Sequence, residues 1–156
     1  MSDTLTATVD LLAGMTFRAT SGTGHQVAMD AAPESGGADV GPRPIEMLLL
    51  GLGGCTGMDV ISMLRKMLQD VTSYQVRLNG KRATEHPRMF TAISVEHVVR
   101  GRGLNADSVK RAVWLSATRY CSVDAMLRRS AHLDETYRIV DVASGQEQTG
   151  SLAMAA

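Results

Sequence analysis

Between Gly41 and Leu64 the chain reads GPRPIEMLLLGLGGCTGMDVISML, an apolar stretch too long for one strand and well suited to one helix. Pro44 fits a first helical turn, where its missing N–H has no partner to lose. Leu48, Leu52, Cys55 and Ser62 fall close to one line on such a helix, with Leu49, Val60 and Met63 beside it. Few polar residues interrupt the run before Asp59. A helix apolar over most of its circumference is normally buried from more than one side. Gly51, Gly53, Gly54 and Gly57 lie within the same stretch, and each costs helix stability of about 1 kcal/mol against alanine. That concentration predicts a close approach, by another backbone or by a substrate, near Cys55.

A chain of 156 residues is long enough for one domain with a real core. Net charge is zero and no basic stripe stands out, so nucleic acid is not an expected partner. The longest apolar run, Met47 to Cys55, is too short to span a bilayer, and no membrane association is expected. The first residues, Met-Ser-Asp-Thr, lack the basic-then-apolar pattern of a secretory signal, which makes a cytoplasmic location the expectation. Two cysteines make no disulfide framework and match no zinc spacing. His25, His86, His97 and His132 share no ligand spacing either, so neither metal nor cofactor is expected. The segment Gly51 to Gly57 does not follow a strand and does not fit the dinucleotide-binding glycine pattern. Ten methionines against six aromatic residues predict an adaptable aliphatic core.

Thr4 to Leu12 alternates and reads as a strand; Met15 to Ala19 and His25 to Met29 read as two more around a Ser21–Gly24 hairpin. Ala31 to Arg43, rich in glycine and proline, is expected as an exposed loop. The long helix follows to about Gln69. Strands are expected at Tyr74 to Ala83 and Phe90 to Arg100, the second broken by Gly101-Arg-Gly103. Asn105 is a good N-cap for an amphipathic helix over Asp107 to Tyr120, carrying Val109, Val113 and Ala117 on one face. Ser122 can cap a short helix from Val123 to about Ser130, and Thr136 to Val142 is the last expected strand. Residues 143–156 are small and polar, expected as a flexible tail behind a single domain over residues 1–142. The order of elements is that of an α+β fold.

Two thiols carry the available chemistry. Cys55 is a reactive thiol in a glycine-lined recess or a small buried hydrophobe. Asp59, one turn on, disfavours its thiolate if close, so a cation from elsewhere would be needed. Cys121 precedes a helix N-terminus, with Arg119, Arg128 and Arg129 nearby, an arrangement that favours a thiolate; a core cysteine at a helix junction is the alternative. Glu46 sits at the start of the long helix, where the dipole welcomes a carboxylate.

At Pro44-Ile-Glu-Met-Leu-Leu-Leu-Gly-Leu-Gly-Gly-Cys55 and at Tyr120-Cys-Ser-Val-Asp-Ala-Met-Leu127 the sequence resembles the OsmC/Ohr superfamily. The resemblance spans about residues 5–142. It is nearest the YhfA-type OsmC-like branch through Gly-His-Gln-Val-Ala-Met-Asp30, Gly-Gly-Cys-Thr-Gly-Met-Asp-Val60 and Arg-Tyr-Cys-Ser-Val123. It implies an intertwined homodimer, with antiparallel sheets around two central long helices and sites at the interface. It further implies reduction of organic hydroperoxides, with Cys55 as the peroxidatic residue, Cys121 as the resolving one, and a dithiol as reductant. An arginine–glutamate pair would activate the first thiol; Arg18 and Glu46 are the candidates. Three positions depart from the family pattern. Ile45 stands where the family's glutamate directly follows the helix-start proline, leaving Glu46 one residue late. Arg18 aligns imperfectly, and Ser122 replaces the proline that usually follows the second cysteine. A one-residue displacement rotates a helical side chain by about 100°.

Two functions therefore stand side by side. One is a thiol-dependent peroxidase that protects against oxidative stress. The other is a non-peroxidatic dimer that binds a small apolar ligand, or senses oxidation, in the same interface cavity.

Overall fold

The computed structural model describes residues 4–153. Contacts divide the chain into two compact units, residues 1–48 and 49–156. The first unit is a three-stranded antiparallel sheet of β1 (Ala7–Ala13), β2 (Thr16–Ser21) and β3 (Gln26–Met29), in that order. Gly24 closes the β2–β3 turn at φ 87°, a left-handed backbone that glycine adopts without a Cβ clash. The expected loop after β3 is organised by a buried carboxylate. Asp30 is 2% exposed and accepts the backbone N–H groups of Ala31 (2.8 Å), Ala38 (3.0 Å) and Val40 (3.3 Å), and the Thr16 hydroxyl (3.2 Å). Burial pushes its pKa up, but these donors outweigh burial and hold it below the ordinary carboxylate value.

Helix α1 (Pro44–Lys66) begins at the expected proline and ends three residues before Gln69. Its buried positions, Leu52, Thr56, Gly57, Val60 and Leu64, form one stripe. The rest of its apolar surface is open: Leu48, Leu50 and Met58 are 44%, 58% and 73% exposed. By length and composition α1 could cross a membrane, and only 28% of its most apolar window is buried. The expectation of burial from several sides is thus unmet within one copy of the chain.

The second unit holds a four-stranded sheet, β4 (Asp70–Arg82), β5 (Phe90–Arg102), β6 (His132–Asp141) and β7 (Glu147–Ser151), in that order. β4 and β7 are antiparallel to their neighbours, whereas β5 and β6 are parallel. The sheet is therefore mixed, which corrects the expectation of antiparallel sheets throughout. Parallel neighbours need a long crossover, and here it carries α2 (Ala106–Leu115), a π-helical turn (Ser116–Tyr120) and α3 (Ser122–Leu127). Asn105 caps α2 as expected, its Oδ1 accepting the Ser108 N–H at 2.8 Å. Gly101 stays within β5, and the break falls at Gly103, where φ is 56°. Where a loose tail was expected, β7 pairs with β6 and Leu152 is buried. Its sequence, Glu-Gln-Thr-Gly-Ser, has almost no apolar signal, so ladder hydrogen bonds rather than burial set it.

The core of this unit is aliphatic. Val60 and Leu64 of α1 meet Val99 of β5, Val109, Ala112 and Val113 of α2, and Ile139 of β6. The α1 glycines split into two pairs. A Cβ on Gly53 would meet Leu78 Cδ1 at 2.8 Å and one on Gly57 would meet Val76 at 3.4 Å, so these two admit β4 side chains. Cβ atoms on Gly51 and Gly54 would meet nothing within 4 Å.

Candidate functional site

The π turn brings the second cysteine to the first. An i→i+5 hydrogen bond from the Cys121 N–H to the Ser116 carbonyl (3.0 Å) widens the helix end by one residue. Ser116, fully buried, then points its hydroxyl at α1, donating to Asp59 Oδ2 at 3.1 Å and lying 2.9 Å from the Thr56 hydroxyl. Cys121 itself caps α3. Its Sγ accepts the Asp124 N–H at 3.4 Å, a role expected of the Ser122 hydroxyl one residue later.

In this way two free thiols far apart in sequence become neighbours. Cys55 Sγ, Cys121 Sγ and an Asp59 carboxylate oxygen all lie within 4.8 Å of one another. Cys55 is half-buried and Cys121 is 3% exposed. Of the two expectations for Cys121, its burial favours the core cysteine at a helix junction over the thiolate. Burial first, and then the adjoining Cys55 thiol, push its pKa up to about 12, against the pull of the Asp124 N–H. A six-residue helix has little dipole to set against that burial.

The nearby arginines do not help. Arg128 is held by Asp124 through a fork, Nε to Oδ1 at 2.8 Å and Nη2 to Oδ2 at 3.0 Å, while Arg119 and Arg129 are exposed. Among the described residues, no lysine or arginine forms an ion pair with Asp59. The other two candidates lie in the first unit. Glu46 accepts the Arg43 N–H at 2.8 Å, a helix-start contact, and Arg18 is exposed on β2 opposite Asp10.

A buried polar chain that the sequence did not reveal joins β4, β5 and β6. The Tyr74 hydroxyl is 2.6 Å from His97 Nδ1, and His97 Nε2 is 3.1 Å from Glu135 Oε2. His97 and Glu135 are essentially inaccessible, and Glu135 Oε1 is the one buried side-chain oxygen without a partner among the described residues. Burial raises the Glu135 pKa; His97 opposes that rise and Asp124 adds to it. A signal was present. Glu135 shares the inward phase of β6 with Leu133, Tyr137 and Ile139, and His97 shares that of β5 with Val95 and Val99. An open apolar groove of about 430 Å³ runs between Leu50, Gly53, Gly57 and Met58 of α1 and Tyr74 and Val76 of β4.

The family model for OsmC-like proteins matches residues 36–136. Protein YhfA of Escherichia coli strain K12 is 43% identical over 134 residues, 86% of this chain and 97% of that protein. The chain belongs to the OsmC-like family. Its α+β architecture of two sheets and three helices matches a solved OsmC-like protein from Mycoplasma pneumoniae (TM-score 0.76, 18% identity, 90% of this chain and 99% of that one). An organic hydroperoxide resistance protein from Elizabethkingia anophelis shares the fold at 15% identity, with a TM-score of 0.64 over 88% of this chain and 96% of that one. Within this OsmC-like chain Cys55 and Cys121 are the two thiols that meet.

Proposed function

We propose that this OsmC-like protein is a homodimeric, thiol-dependent peroxidase that reduces organic hydroperoxides with Cys55 and Cys121. The carrying observation is the meeting of two free thiols from separate elements within 4.8 Å. Burial alone does not require two cysteines to meet. The Cys55 thiolate attacks the distal peroxide oxygen; the O–O bond breaks, the sulfur becomes a sulfenic acid, and the alkoxide leaves as an alcohol after taking a proton. Cys121 then attacks the Cys55 sulfur, the S–O bond breaks, and water leaves with the Cys121 proton. A dithiol reductant returns the disulfide to two thiols. The raised Cys121 pKa argues against that residue as the peroxidatic thiolate, and in resolution its proton leaves with the departing water. The family resemblance implies a guanidinium that favours the Cys55 thiolate, and Arg18 is its candidate.

The homodimer is supported by α1 itself. Gly51 and Gly54 face open space, and Leu50 and Met58 are exposed beside them, a surface that a second α1 could cover. Covering by a second copy, with the chain cytoplasmic, accounts for an apolar helix that carries Asp59 in its length.

A second reading is supported by two observations, the carboxylate rather than a cation beside both thiols and the open apolar groove along α1. In it the dimer binds a small apolar ligand or senses oxidation without turnover. Steady-state consumption of cumene hydroperoxide with a dithiol reductant separates the two. The peroxidase reading predicts turnover by wild type and none by Cys55→Ser; equal consumption by both proteins would sink it.

A further inference from the structure

Cys55 and Asp59 stand one turn apart on α1, and Cys121 meets them from the cap of α3, each offering one ligating atom within 4.8 Å of the others. We propose that these three side chains form a binding site for one zinc ion, held by both sulfurs and one Asp59 oxygen, with the fourth position open. No spacing in the sequence reveals it, because the third ligand arrives through the fold.

The donor set selects the ion. Two thiolates suit a borderline-soft cation and are poor ligands for magnesium or calcium, which take oxygen. Tetrahedral zinc, with Zn–S of about 2.3 Å and Zn–O of about 2.0–2.2 Å, places its ligand atoms roughly 3.5–3.8 Å apart. The cluster lies within about 1 Å of that spacing, a shift that small χ1 rotations supply.

The surroundings are those of an outer shell. Ser116 holds Asp59 Oδ2 at 3.1 Å and leaves Oδ1 without a hydrogen-bond partner among the described residues. Thr56, also buried, fixes the Ser116 hydroxyl at 2.9 Å. The Asp124 N–H donates to Cys121 Sγ at 3.4 Å and orients that sulfur. Such partners orient metal ligands and commonly change affinity by about 10–100-fold. A doubly charged ion also supplies the positive charge that, among the described residues, no lysine or arginine ion pair brings to Asp59.

The site uses the thiol form of the peroxidase cysteines but requires no turnover, so it is tested on reduced protein without peroxide. Chelator-stripped wild type is titrated with zinc against a chromophoric competitor. One ion per chain is expected with a Kd below about 10 μM, weakened at least tenfold by Asp59→Asn and about tenfold by Ser116→Ala. Two readouts do not depend on how those variants fold. Saturating zinc should slow alkylation of Cys55 in wild type at least tenfold. Cobalt(II) added to wild type should give thiolate-to-metal charge-transfer absorption of an intensity that two thiolates produce. Weaker binding by wild type, binding unchanged in Cys55→Ser, or an alkylation rate unmoved by zinc would overturn the proposal. Peroxide consumption is measured separately on metal-free protein. Zinc binding without turnover would refute the peroxidase alone, and turnover without zinc binding would refute the metal site alone.

Discussion

The Asp124 N–H donates to Cys121 Sγ at 3.4 Å, so a sulfur caps α3 where a hydroxyl or carboxylate would ordinarily do so. The same residue turns its carboxylate inward to Arg128. Asp124 thus fixes both the position and the surroundings of the second thiol.

One consequence is an order of reactivity. Cys121 is 3% exposed and engaged by a backbone donor, whereas Cys55 is half-buried. Limiting iodoacetamide at neutral pH, followed by peptide mass spectrometry, should label Cys55 at least about tenfold faster than Cys121. Preferential labelling of Cys121 would exchange their roles.

The Asp124–Arg128 pair should carry a large share of local stability. Asp124 is 1% exposed and Arg128 partly so, and the pair is bidentate. Arg128→Ala leaves a buried carboxylate uncompensated, a loss of roughly 3–5 kcal/mol when both partners are buried. Because Arg128 is partly exposed, the lower end is expected. Urea unfolding monitored by circular dichroism measures it, and a loss below about 1 kcal/mol would contradict the assignment.

Glu135 should make stability pH-dependent in a set direction. Burial raises its folded-state pKa. Its contribution is therefore fully present below the unfolded value, near 4.5, and is lost as pH rises through the folded value. The groups facing it are His97 of β5, itself bonded to Tyr74 of β4, and Asp124 of α3 with its partner Arg128. The stability of Glu135→Gln should fall less than that of wild type between pH 4.5 and neutrality. Parallel curves from denaturant midpoints would show that Glu135 does not hold its proton in the folded state.

Glycines on α1 distinguish a free face from a dimer face. Within one chain, Gly51→Ala and Gly54→Ala meet no atom and should each stabilise the helix by about 1 kcal/mol. Where a second copy packs on that face, the added methyls instead weaken association. Sedimentation equilibrium should show wild type as a dimer and the double variant shifted toward monomer. A monomeric wild type, stabilised by both substitutions, would refute the dimer.

Much of the second unit was legible from periodicity. The Asn105 cap and the stripe of Val109, Val113 and Ala117 emerged as read, because a side-chain oxygen and a 3.6-residue repeat are local signals. The thiol pair was legible only through family resemblance, since Cys55 and Cys121 meet through a parallel crossover that no local pattern encodes. Missed altogether were β7, which has pairing without apolar alternation, and the π turn, whose one-residue widening aims Ser116 at Asp59. The His97–Glu135 pair was missed because its residues lie on separate strands that only the parallel pairing of β5 and β6 brings together.

The most direct measurement is a single turnover. Reduced wild type is mixed with one equivalent of cumene hydroperoxide, quenched with an alkylating agent and analysed by intact and peptide mass spectrometry. The peroxidase predicts loss of both free thiols and an intramolecular disulfide joining Cys55 to Cys121, with Cys121→Ser arrested at a Cys55 sulfenic acid. Recovery of both thiols fully alkylated, with the peroxide unconsumed, would contradict it.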